Sequence, residues 1–142
     1  MTREAQPSTS QPGPRTLVLC DRPDVLPVWS SALATQSIQV IAQERLEKAF
    51  TQALEEIPDL ILIDLLAGFE AQLQLCRGLR SFSIAPILLA LPTYHEEQLL
   101  AYYQAGVDEC LVKPLSPAVL AAKVKAWLGR VWMVPVGGLE KV

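Results

Sequence analysis

The stretch Pro58-Asp59-Leu60-Ile61-Leu62-Ile63-Asp64 decides the fold. Four consecutive large apolar residues leave no polar face, which is the pattern of a strand buried on both sides in a parallel sheet. Asp64 closes the run, so its carboxylate belongs at the carboxyl end of that strand, where open α/β sheets bind ligands. Two strand and helix units further on, Glu109-Cys110-Leu111-Val112 ends in Lys113-Pro114. A lysine at that later strand end can reach the same crevice, and the pairing suggests a site for a phosphoryl group.

Working outward, the chain alternates short apolar runs with helical patterns. Strands are expected at Thr16 to Cys20, Ile38 to Ala42, Asp59 to Asp64, Pro86 to Leu91 and Asp108 to Val112. Helices are expected over Pro23 to Thr35, residues 43 to 56, about Glu70 to Ser81, His95 to Ala105, and from Ser116 as N-cap with Pro117 first to about Leu128. In the second helix Leu46, Ala49, Phe50, Ala53 and Leu54, with Ile57 just beyond, are expected to form one buried stripe. Gly106 is placed to cap the fourth helix. Five βα units with right-handed crossovers give a flavodoxin-like α/β fold, a five-stranded parallel sheet ordered 2-1-3-4-5 with helices on both faces. That order brings the ends of strands one, three and five, and with them Asp21, Asp64 and Lys113, around one crevice.

Length and composition bound the function. The 142 residues suit one domain. Residues 1–14 are polar and rich in Ser, Gln and Pro, and are expected to form a disordered leader. One folded domain is expected over 15–130, followed by an apolar tail over 131–142 that packs on its own domain or on another protein. No apolar run reaches the roughly 18 residues that span a bilayer, and the start lacks a secretory signal, so a cytoplasmic protein is expected. A net charge of -3 without a basic cluster argues against nucleic acid as a partner. Cys20, Cys76 and Cys110 have no C-x-x-C spacing and are expected as buried free thiols. Cys20 and Cys110 should stand on strands separated by two others, too far apart for a disulfide. His95, the single histidine, is expected to be solvated at a helix start.

In order and spacing, Asp21, Pro58 to Asp64, Leu75-Cys-Arg-Gly-Leu-Arg80, Pro86-Ile-Leu-Leu, Ala105-Gly-Val-Asp108 and Leu111-Val-Lys-Pro114 resemble the receiver (CheY-like) domain of two-component response regulators. The resemblance covers about residues 15 to 130. It implies that Asp64 is the phospho-acceptor, that Lys113 contacts the phosphoryl oxygens, and that Asp21, Asp64 and a backbone carbonyl at Leu66 hold Mg²⁺. A histidine kinase is the implied partner. Three positions depart from the family pattern. Cys20 replaces an acid, and a thiol is a poor Mg²⁺ ligand. Leu91 replaces a hydroxyl residue that would hydrogen-bond the phosphoryl group, a bond of about 1.5 to 3 kcal/mol. Cys110 replaces the aromatic that swings between two rotamers. Thr93 is the alternative hydroxyl. Gly68 and Gln72 depart from the usual proline and glycine of the loop after Asp64.

The resulting expectation is a degenerate, stand-alone pseudo-receiver, not an enzyme, that signals through protein contacts largely independently of phosphorylation and binds Mg²⁺ weakly at best. Tyr102, Tyr103 and Trp127 on helices four and five are the expected partner or homodimer surface, with at least one of the adjacent tyrosines exposed. The alternative is a working phosphoryl acceptor that uses Asp64 with Mg²⁺. A flavodoxin-like enzyme is disfavoured because Asp21-Arg-Pro-Asp24, not a glycine-rich loop, follows strand one. If Asp21 and Asp64 repel one another, Asp64→Asn should leave the melting temperature unchanged or raise it.

Overall fold

The structure, a computed structural model, describes residues 13–141, with side chains described as far as Arg130. The chain forms β1 (Arg15–Cys20), α1 (Leu26–Ala34), β2 (Gln39–Gln43), α2 (Ala49–Glu56), β3 (Leu60–Asp64), α3 (Phe69–Phe82), β4 (Ile87–Leu91), α4 (Glu96–Gln104), β5 (Glu109–Val112) and α5 (Pro117–Lys141). All pairings are parallel and the strand order is β2-β1-β3-β4-β5, as the apolar runs imply.

Side chains alternate across each strand, so one apolar run feeds two cores. Leu17, Leu19, Ile61, Ile63, Ile87 and Leu89 pack beneath α2, α3 and α4. On the other face Val18, Leu60, Leu62 and Leu88 meet Leu26, Trp29 and Leu33 of α1 and Leu120, Val124 and Leu128 of α5. Each fully buried large side chain contributes about 1.5–3 kcal/mol. The register sets Cys20 beside Asp64 at the carboxyl ends of β1 and β3.

At the opposite end of the sheet Arg80 ties α3 to the β4 and β5 entries. Its guanidinium donates to the carbonyls of Gly106, Ser83 and Ala85 and to Asp108 Oδ2, which also accepts the Ile87 N–H. Gly106 has φ 111° and ends α4 under the Arg80 stem, where a Cβ would lie 2.6 Å from Arg80 Cγ. The hydroxyl of Ser116 accepts the Val119 N–H at 3.0 Å and caps α5, with Pro117 in its first position.

Four expectations are corrected. α1 begins at Leu26, because Arg22 to Val25 form a turn closed by hydrogen bonds from Val25 N and Leu26 N to the Arg22 carbonyl. The second helical segment opens with a 3₁₀ turn, Leu46–Lys48, and its buried stripe consists of Ala49 and Ala53 alone. Small side chains on that face let α2 lie close to the sheet, leaving Phe50, Leu54 and Ile57 exposed. α5 continues past Leu128 to Lys141. Finally, Pro14 belongs to the folded unit, its carbonyl accepting Gln39 N at 2.9 Å. The rest of the expected leader, residues 1–12, and the side-chain packing of the expected tail lie outside the described residues.

Candidate functional site

Four segments converge at the carboxyl edge of the sheet: the β1–α1 turn, the end of β3, the end of β4 and the end of β5. Asp64 is 1% exposed. A buried carboxylate requires hydrogen-bonding or ionic partners, and both of its oxygens have them. Lys113 Nζ donates to Oδ1 at 2.9 Å, as the topology predicts. Arg22 Nη2 donates to the same oxygen. Trp29 Nε1, from α1, donates to Oδ2 at 2.7 Å. Lys113 stands at a cis peptide bond to Pro114 and its backbone N–H donates to the Leu91 carbonyl.

Asp21, at the start of the β1–α1 turn, is engaged by the backbone after β3. Its Oδ1 accepts the Leu66 N–H at 3.1 Å and so fixes the loop after β3. Cys20 is buried, its thiol facing the Arg22 carbonyl at 3.8 Å, and desolvation raises its pKa. Among the described residues no group of three His, Cys, Asp or Glu is disposed to hold a metal ion. Magnesium demands oxygen ligands in near-octahedral array. Here Cys20 offers sulfur, Asp21 serves the backbone, and the Asp64 oxygens hold two cations and an indole. The arrangement does not fit a hard divalent cation. Asp64 thus accepts from three side chains at once and is a hydrogen-bond hub.

A cleft of about 250 Å³ opens beside Asp64 toward α4, and Leu91, Thr93, His95, Gln72, Tyr102 and Lys113 are among its lining residues. Leu91 is the last residue of β4 and is buried, so an apolar side chain stands at the position expected to carry a hydroxyl. Thr93 lies two residues beyond the strand and is exposed, as is His95. Gln72 donates through Nε2 to the Ala67 carbonyl at 3.1 Å, tethering the loop. Its Oε1, like Arg22 Nε, is buried without a partner among the described residues.

Tyr102 is not part of an exposed surface. It is 1% exposed, packs edge to face on Phe69 with centroids 5.2 Å apart, and burial pushes its phenol up to about 12. The ring of α4 fills the interior beside the cleft. Tyr103, one residue on, points outward at 44% exposure, and its hydroxyl oxygen accepts the Cys110 N–H at 3.0 Å. The bond covers part of the free edge of β5. Trp127 on α5 is half-buried and donates to Glu109 Oε1 at 2.7 Å, while Lys123 holds Oε2 at 2.8 Å and Arg130 stacks 4.3 Å over the indole. Cys110 is half-buried and, like Cys20 and Cys76, a free thiol.

Two residues of the site escaped sequence reasoning. Arg22 sits in the quoted Asp21-Arg-Pro-Asp24 segment, and its proximity to Asp21 was the only available signal. Trp29 follows the apolar pattern of α1 and carried no polar signal at all.

No family model matches the chain. Among curated proteins it is similar to the transcriptional regulatory protein BaeR of Escherichia coli O6:H1, 31% identical over 117 residues, covering 82% of this chain and 49% of BaeR. It is 28% identical over 116 residues to the transcriptional regulatory protein ResD of Bacillus subtilis, covering 82% of this chain and 48% of ResD. The chain thus spans about half the length of these relatives. Among solved structures, the activated N-terminal receiver domain of RstA from Klebsiella pneumoniae superposes with a TM-score of 0.73 at 25% identity, covering 80% of this chain and 97% of that domain. The chain has the CheY-like fold, the fold of response-regulator receiver domains such as that of RstA.

Proposed function

We propose that the chain acts in two-component signalling as an atypical receiver whose protein contacts do not depend on phosphorylation of Asp64. One observation carries this reading: both oxygens of Asp64 are already engaged, by Arg22, Lys113 and Trp29. Nucleophilic attack on a phosphoryl donor would require these donors to rearrange, and so would disturb a buried ionic network. Leu91 and Cys110 support the same reading, since neither supplies the hydroxyl nor the mobile ring that would convert a phosphoryl group into a second conformation. The partner is a histidine kinase or another signalling protein, with a second copy of the chain as the symmetric alternative. Tyr103 and Leu100 of α4 and Val119 of α5 are exposed apolar residues, and with Trp127 they form the contact surface. Cytoplasmic localisation follows from that role; no helix among the described residues is long and apolar enough to cross a membrane.

The test is the intact mass of the protein after incubation with acetyl phosphate and Mg²⁺, alongside Asp64→Asn, with amide NMR shifts as a second readout. No adduct and no shifts are expected. An Asp64-dependent adduct whose shifts extend to α4 would replace this reading with that of a working phosphoryl acceptor.

A further inference from the structure

We propose that the guanidinium of Arg22 is the resident cation of the Asp64 site, a covalently tethered counter-ion that closes the carboxylate to divalent metal. The inference deepens the reading above, and it stands on geometry within this chain.

Arg22 is brought inward by its own turn. Its carbonyl accepts Val25 N and Leu26 N, both at 3.0 Å, and Pro23 restricts the backbone of Arg22, the residue before it, so the side chain turns toward β3. The side chain is 24% exposed, and the Asp64 side chain it meets only 2%. Lys113 binds the same Oδ1, and Trp29 seals Oδ2. Charge completes the argument. The carboxylates of Asp21 and Asp64 are balanced by Arg22 and Lys113, so the site is neutral with no ion added. A divalent cation entering it would have to displace the guanidinium from a pair shielded from water, where the guanidinium's planar set of donors suits a carboxylate. The neighbouring substitution agrees. With Cys20 where the resembling family has an acid, a thiol rather than a third carboxylate faces the Arg22 backbone. With Cys20 in place of a carboxylate and the Arg22 guanidinium on Asp64, the site contains its cation rather than recruiting one.

Removing the guanidinium should therefore leave Oδ1 of Asp64 with Lys113 as its one remaining donor and open it to a divalent cation, with Asp21 and the backbone after β3 as further oxygen ligands. Trp29 is a built-in reporter because its indole touches Asp64. The experiment is a MnCl₂ titration of the full chain followed by Trp29 fluorescence, with Trp127→Phe and Trp132→Phe removing the other two indoles. The parent protein is expected to show no saturable change at millimolar Mn²⁺. Arg22→Ala should show saturable quenching with an apparent affinity at least about tenfold higher, and Arg22→Lys, which keeps the charge, should stay closed. If Arg22→Ala does not fold by amide NMR, Arg22→Gln keeps the stem without the charge and takes its place. Saturable Mn²⁺ binding by the parent, or none by a folded neutral variant, would overturn the proposal. The two readings fail separately. An acetyl phosphate adduct without Mn²⁺ binding would sink the phosphorylation-independent role and leave Arg22 as the resident cation, whereas Mn²⁺ binding without an adduct would do the reverse.

Discussion

The indole nitrogen of Trp29 donates to Oδ2 of Asp64 at 2.7 Å, so a buried aromatic of α1 and the carboxylate ending β3 form one hydrogen-bonded unit across the α1 face of the sheet. In combination with Arg22 and Lys113, the bond makes Asp64 a structural member of the core as well as the centre of the site.

Asp64→Asn is accordingly expected to destabilise. An amide retains one acceptor but no charge, leaving two partly buried cations without their counter-ion. Breaking a buried pair costs about 3–5 kcal/mol, and the partial exposure of both cations, 24% and 22%, reduces this. A loss of about 2 kcal/mol is expected. Trp29→Phe removes a bond to a charged group, of about 1.5–3 kcal/mol. Because they share one bond, the double variant should lose clearly less than the sum of the two. Urea unfolding of the four proteins measures this, and a melting temperature unchanged in Asp64→Asn would refute the hub.

Glu109 links pH to the α5 packing. Burial alone would raise its carboxyl, but hydrogen bonds from Lys123 and Trp127 and the Lys123 charge outweigh it and hold the pKa below its ordinary 4.5. A folded-state pKa that is depressed contributes stability above the unfolded value and loses it as pH falls through the folded value. The stability advantage of the parent over Glu109→Gln should therefore be complete at neutral pH and shrink as pH drops below about 4.5. Denaturant melts at a series of acidic pH values provide the check; a difference that stays constant into the acid range would exclude Glu109 as the linked group.

The thiols should be inert in the folded state. Desolvation pushes Cys76 up to about 12 and Cys110 up to about 11, and it raises Cys20 as well. Since the thiolate is the reactive species, iodoacetamide at about pH 8 should label well under one site per native chain and all three cysteines in denaturant. Rapid native labelling of Cys110 would point instead to a redox-responsive position on the β5 edge.

The architecture was legible because strands buried on both faces leave an unmistakable mark, a continuous run such as Leu60 to Ile63, and because crossover handedness leaves few ways to order five of them. Asp64 and Lys113 were placed together on the same grounds, as residues that end strands. Residue type also exposed the departures at Cys20, Leu91 and Cys110, since a missing hydroxyl or ring is missing in any conformation. The tyrosine pair was half legible. Adjacent residues of a helix point about 100° apart, so one had to face out, but the phase that buried Tyr102 and exposed Tyr103 depends on how α4 is rotated against Phe69.

What the sequence by itself determined is the sheet, its order and the residues at its carboxyl edge, all properties of periodicity and chain connectivity. Tertiary structure alone decided the electrostatics of the site: that Arg22 turns inward, that Trp29 reaches Asp64, and that Asp21 turns to the Leu66 N–H. The reason is physical. Strand positions follow from a two-residue repeat, whereas the direction of a long side chain from a turn follows from local dihedral angles and from which buried charge still lacks a partner, and both exist only once the segments have been brought together.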